Sequence, residues 1–158
     1  MRRIDGMDHK GKNEVRVSTD TLMRRVMKSR QLDLFLNQNE ANLDETTLSE
    51  YLRRLCDERG LVAARVISEA QIERSYGYQI FRGIRKPSRD KILQIAFGMH
   101  LNMEETTKLL RIAGRSPLYP RLKRDAIIAY CLKEQLSVYQ TQEYLGEYGL
   151  SLLGEVDN

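Results

Sequence analysis

An all-α protein is predicted by three observations. Apolar residues recur every three or four positions along most of the chain, helix-capping residues open four of the segments with that spacing, and no strand-like alternation of useful length occurs. The 158 residues suit one domain, or one domain with appendages, and 41% apolar residues can build a modest core.

Residues 1–17 lack periodicity and are rich in Lys, Asp, Gly and Asn, so disorder is expected there. A helical extension is expected over 18–46. Its pattern starts at Thr19 with Leu22, Met23, Val26 and Met27 on one face and resumes at Leu32, Phe35 and Leu36. The polar stretch NQNEANLDE then serves as a connector.

From 47 to 116 the signals sharpen. Thr47-Leu48-Ser49-Glu50 has capping-box spacing, and Leu48, Tyr51, Leu52, Leu55 and Cys56 follow at helical periodicity until Gly60 stops the helix. A helix over about 62–69 buries Val66 and Ile67. The corner Ala70-Gln71-Ile72 leads into a helix over 74–81. Ser88 caps the next helix, whose Ile92, Leu93, Ala96 and Met99 face inward. A second capping box, Asn102 to Glu105, opens a helix that ends at Gly114. Pro117 and Pro120 bracket a turn. A C-terminal helical pair is expected over 117–150: a helix over 121–134 with proline at its first turn, then one opened by Ser137. Residues 151–158 read as a tail.

Charge is distributed unevenly. Residues 1–46 carry 9 basic and 8 acidic side chains, 47–125 carry 16 and 9, and 126–158 carry 1 and 5, giving +1, +7 and −4. The central stretch therefore favours a polyanionic partner and the C-terminal one does not. In the helix over 74–81, Arg74, Tyr78 and Arg82 recur every fourth residue, with Ser75 and Gln79 in the adjoining row. Residues four apart on a helix stand above one another, so these five form one surface. Tyr76, Ile80 and Phe81 point the other way. A short helix held by its apolar back and offering arginine, glutamine and hydroxyl groups suits the edges of bases in a DNA major groove.

Leu61–Ser88 resembles the helix-turn-helix of the Cro and lambda-repressor-like family, also called the XRE type. The likeness runs without gaps through Leu61, Val66, Ile72, Ser75, Ile80, Arg82-Gly83 and Arg85-Lys86-Pro87-Ser88. With the helix before it and the two after, it implies that family's five-helix DNA-binding core with additional N- and C-terminal helices. It also implies a cytoplasmic transcriptional regulator of bacterial or phage origin, acting on double-stranded DNA. Its base-reading positions fall on Arg74, Ser75 and Gln79, with Tyr78 beside them, and its phosphate contacts on Arg82, Arg85, Lys86 and Arg89. Four positions depart from the pattern: Ala63 replaces a phosphate-touching Gln, Gln71 the corner Gly, Gly77 a buried aliphatic and Phe81 a Glu. Gln71 predicts a widened corner that avoids positive φ. Gly77 and Phe81 read as a swap, with the larger ring filling room left by the glycine. Glu69 and Glu73 lie near the expected interface and would repel phosphate unless they pair with Arg65 or Arg74.

Other chemistry finds little support in the residues. Cys56 and Cys131 are far apart and fit buried thiols in a reducing compartment, and no Cys/His cluster suggests a metal. No apolar run reaches the ~20 residues of a membrane helix. His9 lies in the polar start and His100 fits a helix C-terminal cap. No P-loop, dinucleotide fingerprint or nucleophile–base pair occurs, so neither an enzyme nor a cofactor is expected. The rival expectation is a protein-interaction module on the same fold, with Tyr76, Tyr78, Phe81 and Tyr119 as aromatic anchors. The apolar faces of the N-terminal and C-terminal helices have two readings, packing onto the core or a homodimer surface. The C-terminal pair is also open to a small effector.

Overall fold

A computed structural model describes residues 16–43 and 46–155, which are helical with no strand. Most of the expected disorder, residues 1–15, lies outside the described residues. The chain divides into two compact units, 1–45 and 46–158.

The first unit holds α1 (Thr19–Lys28) and α2 (Leu32–Gln38), followed by a 3-10 turn over Glu40–Asn42. Ser18 caps α1 by accepting from the Thr21 N–H. Val17, expected to be disordered, donates its N–H to Asn42 Oδ1 at 3.0 Å. Arg25 donates to Asn39 Oδ1 at 2.8 Å, and the Asn39 amide donates to the Phe35 carbonyl. Phe35 and Asn39 are buried, whereas Met23, Val26, Met27, Leu32, Leu34 and Leu36 are exposed.

The second unit holds α3 (Leu48–Arg59), α4 (Ala63–Glu69), α5 (Arg74–Phe81), α6 (Arg89–Gly98), α7 (Met103–Ile112), α8 (Lys123–Lys133) and α9 (Val138–Glu147). Capping boxes open α3, α7 and α9, and Gly60 ends α3 in the left-handed region at φ 63°. α6 is the axis of the unit: every residue from Ile92 to Met99 is buried. It packs against α4, α7 and α9, while α5 is held by α3 and α4. Ile128, Cys131, Leu132, Val138 and Leu145 join the same core, so the inner faces of α8 and α9 pack onto the helices before them. Burial pushes the Cys56 and Cys131 thiols above their ordinary range, which suits inert packing groups.

Two glycines set how closely α4 is approached. A Cβ on Gly98 would lie 2.6 Å from the Val66 carbonyl oxygen, and one on Gly77 would lie 2.5 Å from Ile67 Cγ2. The room at Gly77 is therefore occupied by Ile67 and not by Phe81, which corrects the expected swap. Phe81 is buried where the helix meets the core.

The N-terminus of α6 is clamped to α8 by two consecutive pairs. Arg89 grips both oxygens of Asp125 at 3.0 and 2.8 Å, and Arg124 grips both oxygens of Asp90 at 3.1 and 2.9 Å. Each helix thus offers an Arg-Asp dipeptide to the other. The carboxylates are 4% and 1% exposed, and bidentate geometry with extra donors compensates their removal from water. Gly154 donates a backbone N–H to Asp90, and Gln142 makes two hydrogen bonds with the backbone of Leu153. The expected tail is therefore packed as far as Gly154. α8 starts two residues later than expected, because Pro120 lies in a turn closed by the Leu122 N–H on the Tyr119 carbonyl. Asp125, in the first turn of α8, accepts from the Tyr119 N–H at 2.9 Å.

Burial alone would raise the Asp125 carboxyl, but the Arg89 guanidinium and the Tyr119 N–H outweigh it and hold the group below the ordinary 3.8. A depressed folded value contributes stability above the ordinary value and loses it as pH falls through the folded one. Resistance to urea is expected to fall on acidification below pH 3.8. In Asp125→Asn that part of the pH dependence disappears, and stability at neutral pH falls by about 3 kcal/mol. Gly98→Ala should cost about 1–3 kcal/mol because a backbone carbonyl cannot step aside. Gly77→Ala combined with Ile67→Ala should cost less than the sum of the two single changes, measured as a double-mutant cycle.

Candidate nucleic-acid interface

The sequence places polar side chains on one side of α5 because its other side must pack. Ile80 and Phe81 are buried, and Gly77 lies against Ile67 of α4. Arg74 and Ser75 are consequently exposed, with Tyr78 and Gln79 partly so. The Arg74 guanidinium lies 5.8 Å from the Tyr78 ring centroid, a cation–π contact along the helix face. The structure thus brings all four expected base-reading residues onto one helix.

Glu73 is the N-cap of α5. Its carboxylate accepts from the Ser75 and Tyr76 N–H groups at 3.0 and 2.8 Å, so its charge meets the positive end of the helix. The expected alternative, an ion pair with Arg74, is not formed. Glu69 does pair with Arg65 at 3.0 Å, and His100 Nε2 lies 3.0 Å from its other oxygen. The Arg65 hydrogen bond is the main reason the Glu69 carboxyl is lowered, with His100 adding to it. His100 closes α6 at φ 54°, its N–H bonded to the Phe97 carbonyl.

The corner between α4 and α5 corrects another expectation. Gln71 does not avoid the left-handed region; it sits at φ 55°, so the corner is tight in spite of the missing glycine. The Ile72 N–H bonds to the Ile67 carbonyl and the Gln71 N–H to the Ser68 carbonyl, which fixes the turn. Gln94 of α6 donates to the Ala70 carbonyl at 3.0 Å. These bonds over-determine a conformation that costs a non-glycine residue about 1 kcal/mol.

Beyond α5 the basic loop 82–86 is exposed. Gly83 turns it at φ 76°, and the Ile84 and Arg85 N–H groups donate to the Gln79 carbonyl. Both ends are fixed. The Phe81 carbonyl accepts from Ser49 Oγ at 2.6 Å and from Arg53 at 3.4 Å, and the Pro87 carbonyl accepts twice from Arg115. Between this loop and the first turn of α3 lies an open hollow of about 560 Å³, bordered by Arg53, Arg82, Arg85 and Lys86. Neither Arg53 nor Arg115 carried a sequence signal, since each holds a backbone carbonyl 28 residues away.

Arg89 falls outside this group. Besides Asp125 it donates to the Ser116 and Pro117 carbonyls, which uses four hydrogen bonds of its guanidinium within the fold. Its side chain is only 18% exposed. Phe81 is likewise buried and offers no aromatic anchor to a partner. On α8 and α9, by contrast, Tyr130, Tyr144 and Tyr148 line an open hollow of about 490 Å³ with Ala126, Ile127 and Lys123.

Among the described residues no group of His, Cys, Asp or Glu is arranged to hold a metal, and no helix is long and apolar enough to cross a membrane. Compared with protein-family models, curated proteins and solved structures, the chain matches none of them.

Two substitutions check this geometry without any ligand. Gln71→Gly should stabilise the protein by about 0.5–1 kcal/mol in urea unfolding, as relief of positive φ outweighs the freer unfolded chain. Arg89→Ala should lower stability by about 3 kcal/mol, since it strands a buried carboxylate; a change within ±0.5 kcal/mol would show that the clamp carries no weight.

Proposed function

We propose that this protein is a sequence-specific, DNA-binding transcriptional regulator that inserts α5 into the major groove. The observation that carries the reading is one face of α5, with Arg74 and Ser75 exposed and Tyr78 and Gln79 half-buried beside them, continued by the exposed cations Arg82, Arg85 and Lys86. Arginine and glutamine match the donor and acceptor pattern of base edges, and the cations beyond them suit phosphate oxygens. The +7 balance of residues 47–125 supports a polyanion at this end of the chain. α3 to α7 are read as the five-helix core of the Cro and lambda-repressor-like family. Arg89, tied to Asp125, is left out of the phosphate set.

Two acidic groups that weighed against the reading are neutralised locally. Glu73 faces the N-terminus of α5, and Glu69 faces Arg65 and His100. A homodimer on a two-fold site fits this class of regulator, with recognition helices about 34 Å apart.

A second reading, a protein-binding module on the same fold, is favoured by one observation, the tyrosine-lined hollow on α8 and α9. Mobility shift on random duplex DNA at low and moderate salt separates the two. No retention at either salt sinks the DNA reading, and weak retention lost at moderate salt supports only a sequence-independent contact.

Arg74→Ala should relax preference at one base position and cost about 1–3 kcal/mol of binding. Lys86→Ala should weaken all sequences alike and reduce the slope of log K against log salt by about one unit. Selection of bound duplexes from a random pool, followed by titration of the winners, measures both.

A further inference from the structure

The expected base reader Gln79 is not a free amide. Arg85 Nε–H donates to its Oε1 at 2.9 Å, from six residues along the chain. Arginine has no acceptor, so chemistry alone requires the carbonyl end of the amide to face it. The contact is held from both sides. The Arg85 backbone N–H reaches the Gln79 carbonyl at 3.3 Å, and the guanidinium lies 5.6 Å from the Tyr76 ring centroid. Tyr76 is itself partly buried against the core. No described residue accepts from the Gln79 Nε2 amino group.

We propose that Arg85 is a positioning residue that fixes which way the Gln79 amide faces, so that Gln79 presents its amino donor and its remaining acceptor site to the base in one orientation. The inference rests on the groove-facing reading of α5 and deepens it. A glutamine bridges adenine by accepting from N6–H and donating to N7 at once. An amide oxygen has two acceptor sites and the Arg85 bond occupies one, so Oε1 keeps the second for N6–H while Nε2 donates to N7. Guanine presents two neighbouring acceptors, O6 and N7, so an amide held in that orientation faces one of them with its own oxygen, and adenine becomes the preferred base. Arg85 keeps the rest of its guanidinium donors for a phosphate, so one side chain sets both a contact and a specificity.

The test is selection of bound duplexes with the full-length protein, Arg85→Ala and Arg85→Lys. The wild type should prefer adenine at one position, and both variants should relax that single preference by at least about five-fold. Arg85→Lys should do so with its salt slope unchanged, because the charge is retained. If both variants bind with every base preference unchanged, Arg85 is only a phosphate contact and the inference fails alone. If the wild type binds no duplex at low salt, the DNA reading fails and this inference with it. The brace also has a readout without DNA. The Arg85 Nε–H resonance of the free protein should be protected from solvent exchange, and Gln79→Ala should abolish that protection. An unprotected signal, or one that Gln79→Ala leaves unmoved, overturns the brace.

Discussion

α6 imposes the constraint on which the larger unit depends. A helix buried from Ile92 to Met99 on all its sides cannot be satisfied by a single neighbour. It must be covered around its whole circumference, and α4, α7 and α9 do this while α8 grips its first turn. Gly98 lets α4 approach within contact of backbone atoms. Once α4 is fixed there, Gly77 fixes α5 against the adjoining Ile67 of α4. The position of α5 is thus a second-order consequence of how the central helix is covered.

That hierarchy also sorts the charges. Arg89 and Asp90 open α6, and their reciprocal partners Arg124 and Asp125 open α8. Charge that a sequence count assigns to a basic surface is here consumed inside the fold. The cations of α5 and the loop after it stand outside this network, apart from the brace of Arg85 on Gln79. The two pairs lie wholly within 47–125 and cancel, so the +7 balance of that stretch is carried by side chains outside the clamp.

Much of the helical framework was legible because its signals are local. The capping boxes at Thr47 and Asn102, the opening of α9 at Ser137, the stop at Gly60, and both ends of α5 depend on residues within one or two turns. What escaped was non-local. Ile67 fills the space beside Gly77, and Arg89 meets Asp125 from 36 residues away. The repeated Arg-Asp dipeptides at 89–90 and 124–125 were a visible sign of the clamp, but only the pairing of α6 with α8 gives them meaning. Gln71 escaped for another reason. Its strained φ is enforced by bonds of its neighbours, Ile72 to Ile67 and Gln94 to Ala70, and nothing in the identity of glutamine announces it. At the candidate site, helical spacing found the residues that share a face but not the hydrogen bond that orients one of them.

The basic loop after α5 has its two ends pinned, at the Phe81 carbonyl by Ser49 and Arg53 and at the Pro87 carbonyl by Arg115. A polyanion that meets this loop meets a surface whose backbone is already ordered, so little folding accompanies the encounter. Ionic strength would then act on such an encounter through long-range attraction and phosphate contacts, and not through ordering of the loop. The same pinning links the loop to distant parts of the chain, because α3 holds one end of it and the segment after α7 holds the other.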